Sequence, residues 1–468
     1  MRKLFYVFNF ALLAVFAAAV AVDQKQEWKP YQRGYNRKMA AELKEKLART
    51  TDGKERKALK SEVRRWKWRG LEIKQILVKD LDRVDRCITC HVGMDEFTNP
   101  TLANSFDEHP YKAHPDVSGI VKNHPFQKFG CTTCHGGQGI ATTAKAAHEG
   151  NIVHVGGESL MADEHLLKGT FLQASCAKCH ADVENLKGAE VVSLGKKLFD
   201  ANGCKGCHSV NGVGGVVSVD LGDVADKPGE RIAPHDFHLA RMPAGHEDIS
   251  VQNWILAHLI RDPMDFVHND PEGKYNAEPI APSGMPPYYL EWKKDEKGFN
   301  KEAIALTTYL LSLTHEKIPH TYYRYAPPKP EPKFAGAVEH GKYVFQKYGC
   351  AGCHGVGAQQ GRRNFNAMGP GQDPENKTVE EMAKGRVPTL PETVGTFTRE
   401  ELKKKIQDGV PSSAVAKYKD AYTDLSGNQR TGPIPALYMP SWKDKIKGAE
   451  LESLVTYLLS IAKKGEEW

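Results

Sequence analysis

The stretch GKKLFDANGCKGCH, residues 195–208, recurs 146 residues later as GKYVFQKYGCAGCH, residues 341–354. Both copies share Gly, Lys, Phe, Gly, Cys, Gly, Cys and His in the same order. A Met-Pro dipeptide follows each copy, and an apolar segment rich in Tyr, Leu and Ser follows each Met-Pro. Because three features recur in one order, the sequence indicates a duplicated domain.

Five Cys-x-x-Cys pairs account for all ten cysteines, and each pair is followed directly by histidine. Histidine makes up only 19 of the 468 residues, so chance does not explain this recurrence. Cys-x-x-Cys-His is the pattern of c-type haem attachment, in which two thiols bind the haem and the histidine ligates its iron. The pattern predicts five covalent haems c attached through Cys87 and Cys90, Cys131 and Cys134, Cys176 and Cys179, Cys204 and Cys207, and Cys350 and Cys353, with His91, His135, His180, His208 and His354 as proximal iron ligands.

Other uses of paired cysteines fit this pattern less well. A zinc site needs four ligands and gives no reason for a histidine after every second cysteine. A thioredoxin-like redox site needs one active pair beside a βαβ unit. Structural disulfides would not be so uniform in spacing.

The N-terminus predicts export across a membrane. Residues 1–22 begin with two basic residues and continue as an apolar run. They form either a signal peptide with an A-x-A-like cleavage site at 19–21 or an uncleaved anchor helix of nearly spanning length. Trp28, Tyr31 and Tyr35 follow like an interfacial aromatic belt and favour the anchor. Either way, basic residues keep the N-terminus cytoplasmic, so the rest lies on the extracytoplasmic, periplasmic side.

The charge of the chain does not indicate nucleic-acid binding. The formal net charge is +6, but five haems would add about ten negative charges through their propionates. A basic isoelectric point is therefore a poor indicator here. Residues 37–69 are densely charged and favour a solvated helix or helical hairpin near the membrane. Contact with lipid headgroups or with a partner subunit is the alternative role for this segment.

The order of elements in residues 190–316 and 335–464 resembles the class I cytochrome c fold. A helix leads into the Cys-x-x-Cys-His motif, and a long loop, a Met-Pro and a final helix follow. The resemblance implies that the first and last helices cross over the haem and that a methionine is the sixth iron ligand. We predict Met285 and Met439 for this role. The alternatives are Met242 and Met264 in the first copy and Met368 in the second.

The other three motifs lie in residues 86–185, a stretch that resembles a compact multihaem module. Met94 and Met161 are isolated, so we expect two histidines on each iron. Six spare histidines are available, namely His109, His114, His124, His148, His154 and His165. We predict His114, His124 and His148 as ligands, because His-Pro places the first two rings on stiff turns. The sequence does not pair each of them with a particular iron.

Together these features predict a mainly α protein with extensive loops. We expect a signal or anchor helix at 1–22, a charged helical segment at 23–84, a three-haem module at 85–188, class I cytochrome c-like domains at 189–318 and 335–468, and a Pro-rich linker between them at 319–334.

Irons with six ligands have no open position for a substrate, so the predicted role is electron transfer without catalytic residues. Histidine-ligated haems would receive electrons, and haems of higher potential with a methionine ligand would pass them on. The anchor together with EWKPYQ, RRWKWRGLEIKQI, DRVDRCITCHVG and KFGCTTCHGGQG resembles multihaem cytochrome c subunits of bacterial bc-type quinol-oxidising complexes. This resemblance implies cytochrome b and Rieske partners and a periplasmic electron acceptor. A subunit of alternative complex III is a related interpretation.

Two other classes of function remain as competing hypotheses. A multihaem enzyme acting on peroxide, nitrite or sulfur compounds needs only one iron with an open position. A haem filament or extracellular conduit is the third hypothesis, against which the membrane anchor and the linked class I domains argue.

Overall fold

The computed structural model describes residues 2–94, 106–115, 117–149, 151–155, 158–162, 165–215, 218–227, 250–260, 301–325, 332–358, 387, 389–409 and 439–463. The chain divides into two compact units, Met1–Leu167 and Lys168–Trp468. The third haem motif therefore belongs to the second unit, and the predicted module at 85–188 includes residues of both units. The predicted mainly α class is confirmed.

The first unit begins with helix α1 (Arg2–Gln24), which is apolar and exposed. The segment Lys3–Gln24 is long and apolar enough to cross a membrane. A signal sequence has the same properties, so the two interpretations of the N-terminus both stand.

A helical hairpin follows in the charged segment, formed by α2 (Trp28–Arg49) and α3 (Gly53–Lys67). The Asp52 carboxylate caps α3 by accepting the backbone N–H of Glu55 at 2.7 Å. Between the two helices a small apolar core forms around Tyr35, Met39, Leu43, Leu59 and Trp66. Packing of this core holds together a hairpin whose outer faces are charged.

The remainder of the first unit consists of short elements around two haem motifs. Strands β1 (Ile76–Val78) and β2 (Arg83–Asp85) pair antiparallel, as do β3 (Asn151–Val155) and β4 (Glu158–Ala162). The helices are α4 (Phe126–Phe129), α5 (Thr132–His135) and α6 (Ala144–Glu149), with 3-10 turns at Lys79–Leu81, Cys87–Thr89 and Val92–Met94 and a π-turn at Val117–Val121.

The second unit contains the third motif and both copies of the duplicated stretch. Its first part has α7 (Ala174–Cys179), α8 (Glu190–Ala201), the paired strands β5 (Ser209–Val210) and β6 (Val213–Gly214), α9 (Val251–Ile260) and α10 (Lys301–Leu310). Its second part has α11 (Ala337–Lys347), α12 (Ala351–His354), α13 (Leu390–Thr393), α14 (Arg399–Asp408) and α15 (Gly448–Ser460). The 3-10 turns of this unit are Gly169–Gln173, Val183–Asn185, Cys204–Gly206, Val224–Asp226, His320–Tyr322, Val356–Ala358 and Val394–Thr396.

In the first copy, α8 and α10 cross at Gly195. A Cβ at this position would overlap the carbonyl group of Ala305, so only glycine allows the two backbones to approach this closely. Next to the crossing, the rings of Phe199 and Tyr309 pack with centroids 5.3 Å apart.

The second copy repeats this crossing with α11 and α15. Gly341 faces the carbonyl group of Ser453, and the Phe345 and Tyr457 ring centroids are 5.8 Å apart. Gly341 and Phe345 lie at the same sequence offset from Gly195 and Phe199 as the two motifs lie from each other. The duplication seen in the sequence is therefore also a duplication of the helix crossing.

We expect Gly341→Ala to destabilise the second cytochrome-like domain by about 3 kcal/mol, because the added methyl group has to force α11 away from α15. Thermal unfolding of the full-length haem-loaded protein, followed by circular dichroism, measures the effect. Gly336→Ala is the matched control, since a Cβ there meets no atom within 4 Å. Equal melting temperatures for the two variants would contradict the close crossing.

Candidate haem-binding sites

All five Cys-x-x-Cys-His motifs adopt the same local conformation. In each, the backbone N–H of the histidine donates to the carbonyl of the first cysteine, at 2.9 to 3.0 Å. This is one helical turn, and residues three and four apart on a helix share a face. Both thiols and the imidazole of each motif therefore lie on one side of the turn, as attachment of a single haem requires.

The cysteine side chains are available for covalent attachment. All are half-buried, and none forms a disulfide. Within the described residues, no group of three or more His, Cys, Asp or Glu side chains is arranged to hold a bare metal ion. Two half-buried thiols and one imidazole on the same turn are the donor set that a covalently attached haem requires. Attachment stays a prediction for each of the ten cysteines, Cys87, Cys90, Cys131, Cys134, Cys176, Cys179, Cys204, Cys207, Cys350 and Cys353.

The first motif histidine, His91, faces two other histidine rings. The centroid of its ring lies 6.0 Å from that of His148 and 6.2 Å from that of His109. A metal–nitrogen bond is about 2 Å long, so two imidazoles on opposite sides of one metal have centroids about 6 Å apart. Burial, with the nearby His148 and His109, lowers the pKa of His91 to about 4, which keeps its ring neutral as an iron ligand must be.

His135 of the second motif faces His114. Their ring centroids are 6.2 Å apart, the same spacing as at the first motif. Burial is the main cause that lowers the pKa of His135, and His114 adds to it. The structure thus brings two of the three predicted distal histidines, His114 and His148, to a motif histidine.

His124 has different surroundings. Its Nδ1 atom lies 2.9 Å from the carbonyl oxygen of Ile120, and its ring packs on Phe129 with centroids 4.9 Å apart. An Nδ1–H that donates to this carbonyl leaves Nε2 with its lone pair, the state needed for iron ligation. Its assignment as a ligand remains a prediction.

Sequence reasoning counted His109 as a spare histidine and did not choose it, yet the structure places its ring beside His91. A signal was present, since His109 precedes a proline as His114 and His124 do. His-Pro alone does not say which ring approaches which motif, because that depends on how the chain folds back.

Buried Asp85 joins the first two motifs. It ends β2, two residues before Cys87, and its carboxylate accepts the backbone N–H groups of Cys131 and Thr132, the latter at 3.0 Å. The Thr132 hydroxyl donates to the same carboxylate at 2.7 Å. Gly130 makes room for it, because a Cβ there would overlap the carboxylate. One buried side chain therefore fixes the second motif against the strand that leads into the first.

The thiols of these two motifs also meet. The Cys131 thiol hydrogen-bonds that of Cys87, and this contact together with burial raises the pKa of the Cys131 thiol. The attachment edges of the first and second haem sites are therefore neighbours.

The two cysteines of the second motif have different positions in the structure, although the sequence treats them as equivalent attachment points. Cys131 precedes α5 and carries both the Asp85 contact and the thiol contact with Cys87. Cys134 lies inside α5, half-buried, and its backbone N–H donates to the Cys131 carbonyl at 3.2 Å. The neighbouring His135 donates to the same carbonyl at 3.0 Å. Cys131 is therefore held both by its own turn and by Asp85 and Cys87.

The fourth motif histidine is oriented by the loop that follows it. His208 Nδ1 lies 2.9 Å from the Val219 carbonyl oxygen, a contact that directs Nε2 away from the backbone. The next residue, Asp220, holds this loop by accepting from Ser209 Oγ at 2.5 Å and from the backbone N–H groups of Asn211, Gly212 and Gly222 at 2.7 to 3.0 Å. The bond from Ser209 and those from Gly212 and Gly222 lower the pKa of Asp220.

Met439 lies half-buried against the hydrophobic core of the second copy, together with Cys350 of the fifth motif. This position is compatible with its predicted role as a ligand of the fifth iron. The other predicted methionine, Met285, lies outside the described residues, as do Met242, Met264 and Met368.

The cytochrome c family model matches residues 192–314 and 338–462, which together make up just over half of the chain. The chain therefore belongs to the cytochrome c family, and each match covers one copy of the duplicated domain. No curated protein and no solved structure matches the chain significantly. Membership supports covalent haem c and a role in electron transfer. When bound, haem supplies an iron that takes up and releases one electron at a time.

We expect Asp85→Ala to destabilise the first unit by about 3 kcal/mol, because three donors lose their buried charged acceptor. Asp85→Asn should retain most of the stability, since its carbonyl can accept both N–H groups and its amide can donate to the Thr132 hydroxyl. Chemical unfolding of the full-length protein, followed by the haem absorption, compares the two. Asp82→Asn is the exposed control. An Asp85→Ala protein as stable as this control would contradict the role of Asp85 in holding the second motif.

Proposed function

We propose that the chain is a pentahaem cytochrome that relays single electrons on the extracytoplasmic side of a membrane, where α1 anchors it. The observation that carries this proposal is the pairing of motif histidines with second histidine rings, His91 with His148 or His109 and His135 with His114, at 6.0 to 6.2 Å. Iron held between two imidazoles has no position for a substrate, so electron transfer is the chemistry left to it.

The chain order suggests a direction for this relay. The three sites predicted to have two histidine ligands lie in residues 86–185, and the predicted methionine ligands lie further along the chain, in the two cytochrome c domains. Methionine raises the haem potential relative to a second histidine. Electrons would therefore enter at the N-terminal haems and leave from the C-terminal pair.

We further propose that the relay serves a quinol-oxidising respiratory complex of the bc type, with cytochrome b and Rieske subunits as partners and a periplasmic acceptor. The single apolar N-terminal helix and the charged hairpin after it support a position at the membrane surface. A subunit of alternative complex III is the related alternative.

Carbon monoxide binding tests whether all the haem irons have six ligands. We expect the reduced full-length protein, with five haems by intact mass, to leave its Soret band unchanged under carbon monoxide. Met439→Ala and His114→Ala should each open one iron, so that one haem per chain binds the gas.

Ligand-swap variants serve as controls for this experiment. Met439→His and His114→Met keep a sixth ligand, so both should resist carbon monoxide, with a lowered and a raised haem potential respectively. Binding of carbon monoxide by the unaltered protein at one haem per chain would overturn the closed relay and favour an enzyme with an open haem.

Purification from native membranes tests the assignment to a complex. We expect the chain to be extracted only with detergent and to co-purify with a cytochrome b and a Rieske iron–sulfur subunit. A protein in which a cleavable signal peptide replaces α1 should be recovered in the soluble periplasmic fraction, because no other described helix meets the length and hydropathy needed to span a membrane. Recovery of the full chain as a free soluble monomer would count against the complex.

A further inference from the structure

The haem-attachment turns of the two cytochrome c domains pack directly against each other. Gly203 meets Gly352, and Gly206 meets Gly349, so closely that a Cβ on any of the four would overlap backbone of the opposite turn. Lys445 of the second domain adds a hydrogen bond from Nζ to the carbonyl of Gly214 in the first. Both domains belong to one compact unit.

This contact has two-fold symmetry. Gly203 and Gly349 occupy equivalent positions in the duplicated stretch, and so do Gly206 and Gly352. The first glycine of each motif therefore contacts the second glycine of the other motif. This is the pattern of an isologous interface between two copies of one surface. The contacted atoms obey the same symmetry. A Cβ on Gly203 or Gly349 would overlap an amide nitrogen of the opposite turn, and a Cβ on Gly206 or Gly352 would overlap a carbonyl oxygen.

Two sulfur atoms predicted to attach haem lie at the centre of this contact. Cys207 and Cys353 are equivalent residues, and their sulfur atoms are 3.8 Å apart. Each sulfur is the second attachment point of its own motif. Haems attached to these two sulfurs would therefore have neighbouring attachment edges.

Comparison of the five motifs shows that haem attachment does not itself need these glycines. The residue before the second cysteine is Thr89, Thr133 or Lys178 in the first three motifs. It is glycine only in the fourth and fifth, at Gly206 and Gly352, where the turns touch. Neither of these two glycines has a positive φ, unlike Gly203 and Gly349, so their requirement comes from the contact and not from backbone conformation.

We propose that the two cytochrome c domains form a dihaem pair that exchanges electrons directly through the Cys207–Cys353 contact, with glycine at the second spacer position of each motif setting the distance. This inference rests on the proposed electron-transfer function. In the exchange, a ferrous haem gives one electron to its ferric neighbour, so the first becomes ferric and the second ferrous. No bond forms or breaks, and no proton moves.

Electron paramagnetic resonance of the fully oxidised full-length protein tests whether the fourth and fifth haems form such a pair. Two low-spin ferric irons held at this contact would couple magnetically. We expect the signals of the fourth and fifth haems to be broadened by this coupling. Gly206→Ala and Gly352→Ala should each abolish the broadening, since the added methyl group separates the turns. The reference is the double variant Cys350→Ala/Cys353→Ala, which cannot attach the fifth haem and therefore shows the fourth haem alone.

Gly336→Ala is the control, because nothing lies within 4 Å of its Cβ and the coupling should persist. If the glycine variants lose a haem by intact mass, Lys445→Ala loosens the contact without altering either motif, and weaker coupling is expected. A spectrum of the unaltered protein that equals the sum of the spectra of isolated haems would overturn the proposed dihaem pair. The relay itself fails separately, if carbon monoxide binds the unaltered protein.

Discussion

The constraint on which the rest of this structure depends is the helical turn of the haem-attachment motif. One hydrogen bond, from the histidine N–H to the carbonyl of the first cysteine, places two thiols and one imidazole on the same face in all five motifs. The turn supplies three of the four bonds that the protein makes to a haem with six-coordinate iron. The rest of the fold would then have to supply the remaining iron ligand of each haem and hold the turns in place.

The two units arrange neighbouring turns by different physical means. In the first unit a buried carboxylate, Asp85, binds the N-terminal end of the second motif and holds it against the strand that leads into the first. In the second unit the fourth and fifth motifs approach each other backbone to backbone, at Gly206 and Gly349 and at their symmetric counterparts. Both arrangements bring attachment sulfurs of two motifs together, Cys87 with Cys131 and Cys207 with Cys353. Contact between the attachment sulfurs of two motifs is thus a shared property of two unrelated packings.

Much of the site could be predicted because covalent attachment is encoded locally. The five motifs and the duplicated helix pattern each lie within a few residues of sequence, and spacing alone identifies them. The contact of Asp85 with the second motif was not predicted, because its partner Cys131 lies 46 residues away and a single aspartate forms no recognisable sequence motif. For the same reason the sequence could not distinguish Cys131 from Cys134, since the motif gives both thiols one role.

Two further features depended on how the chain folds back. His109 was passed over because the fold, and not the His-Pro dipeptide, decides which ring reaches His91. The shared glycines were visible in the duplication, but only the fold shows that the glycines of the two copies contact each other.

The buried side chains around the haem motifs differ between the two units. The second cytochrome c domain buries a continuous apolar cluster that includes Val344, Phe345, Ile446 and Leu454, and its terminal helices pack on each other directly. Around the first two motifs, by contrast, the buried side chains include Asp85, Thr89, Thr132 and Thr133. Polar groups such as these do not provide a hydrophobic driving force. The first unit has the apolar core of its helical hairpin, and apolar haem faces would add to it around the two motifs. We therefore expect folding around these motifs to depend more on haem attachment than folding of the cytochrome c domains.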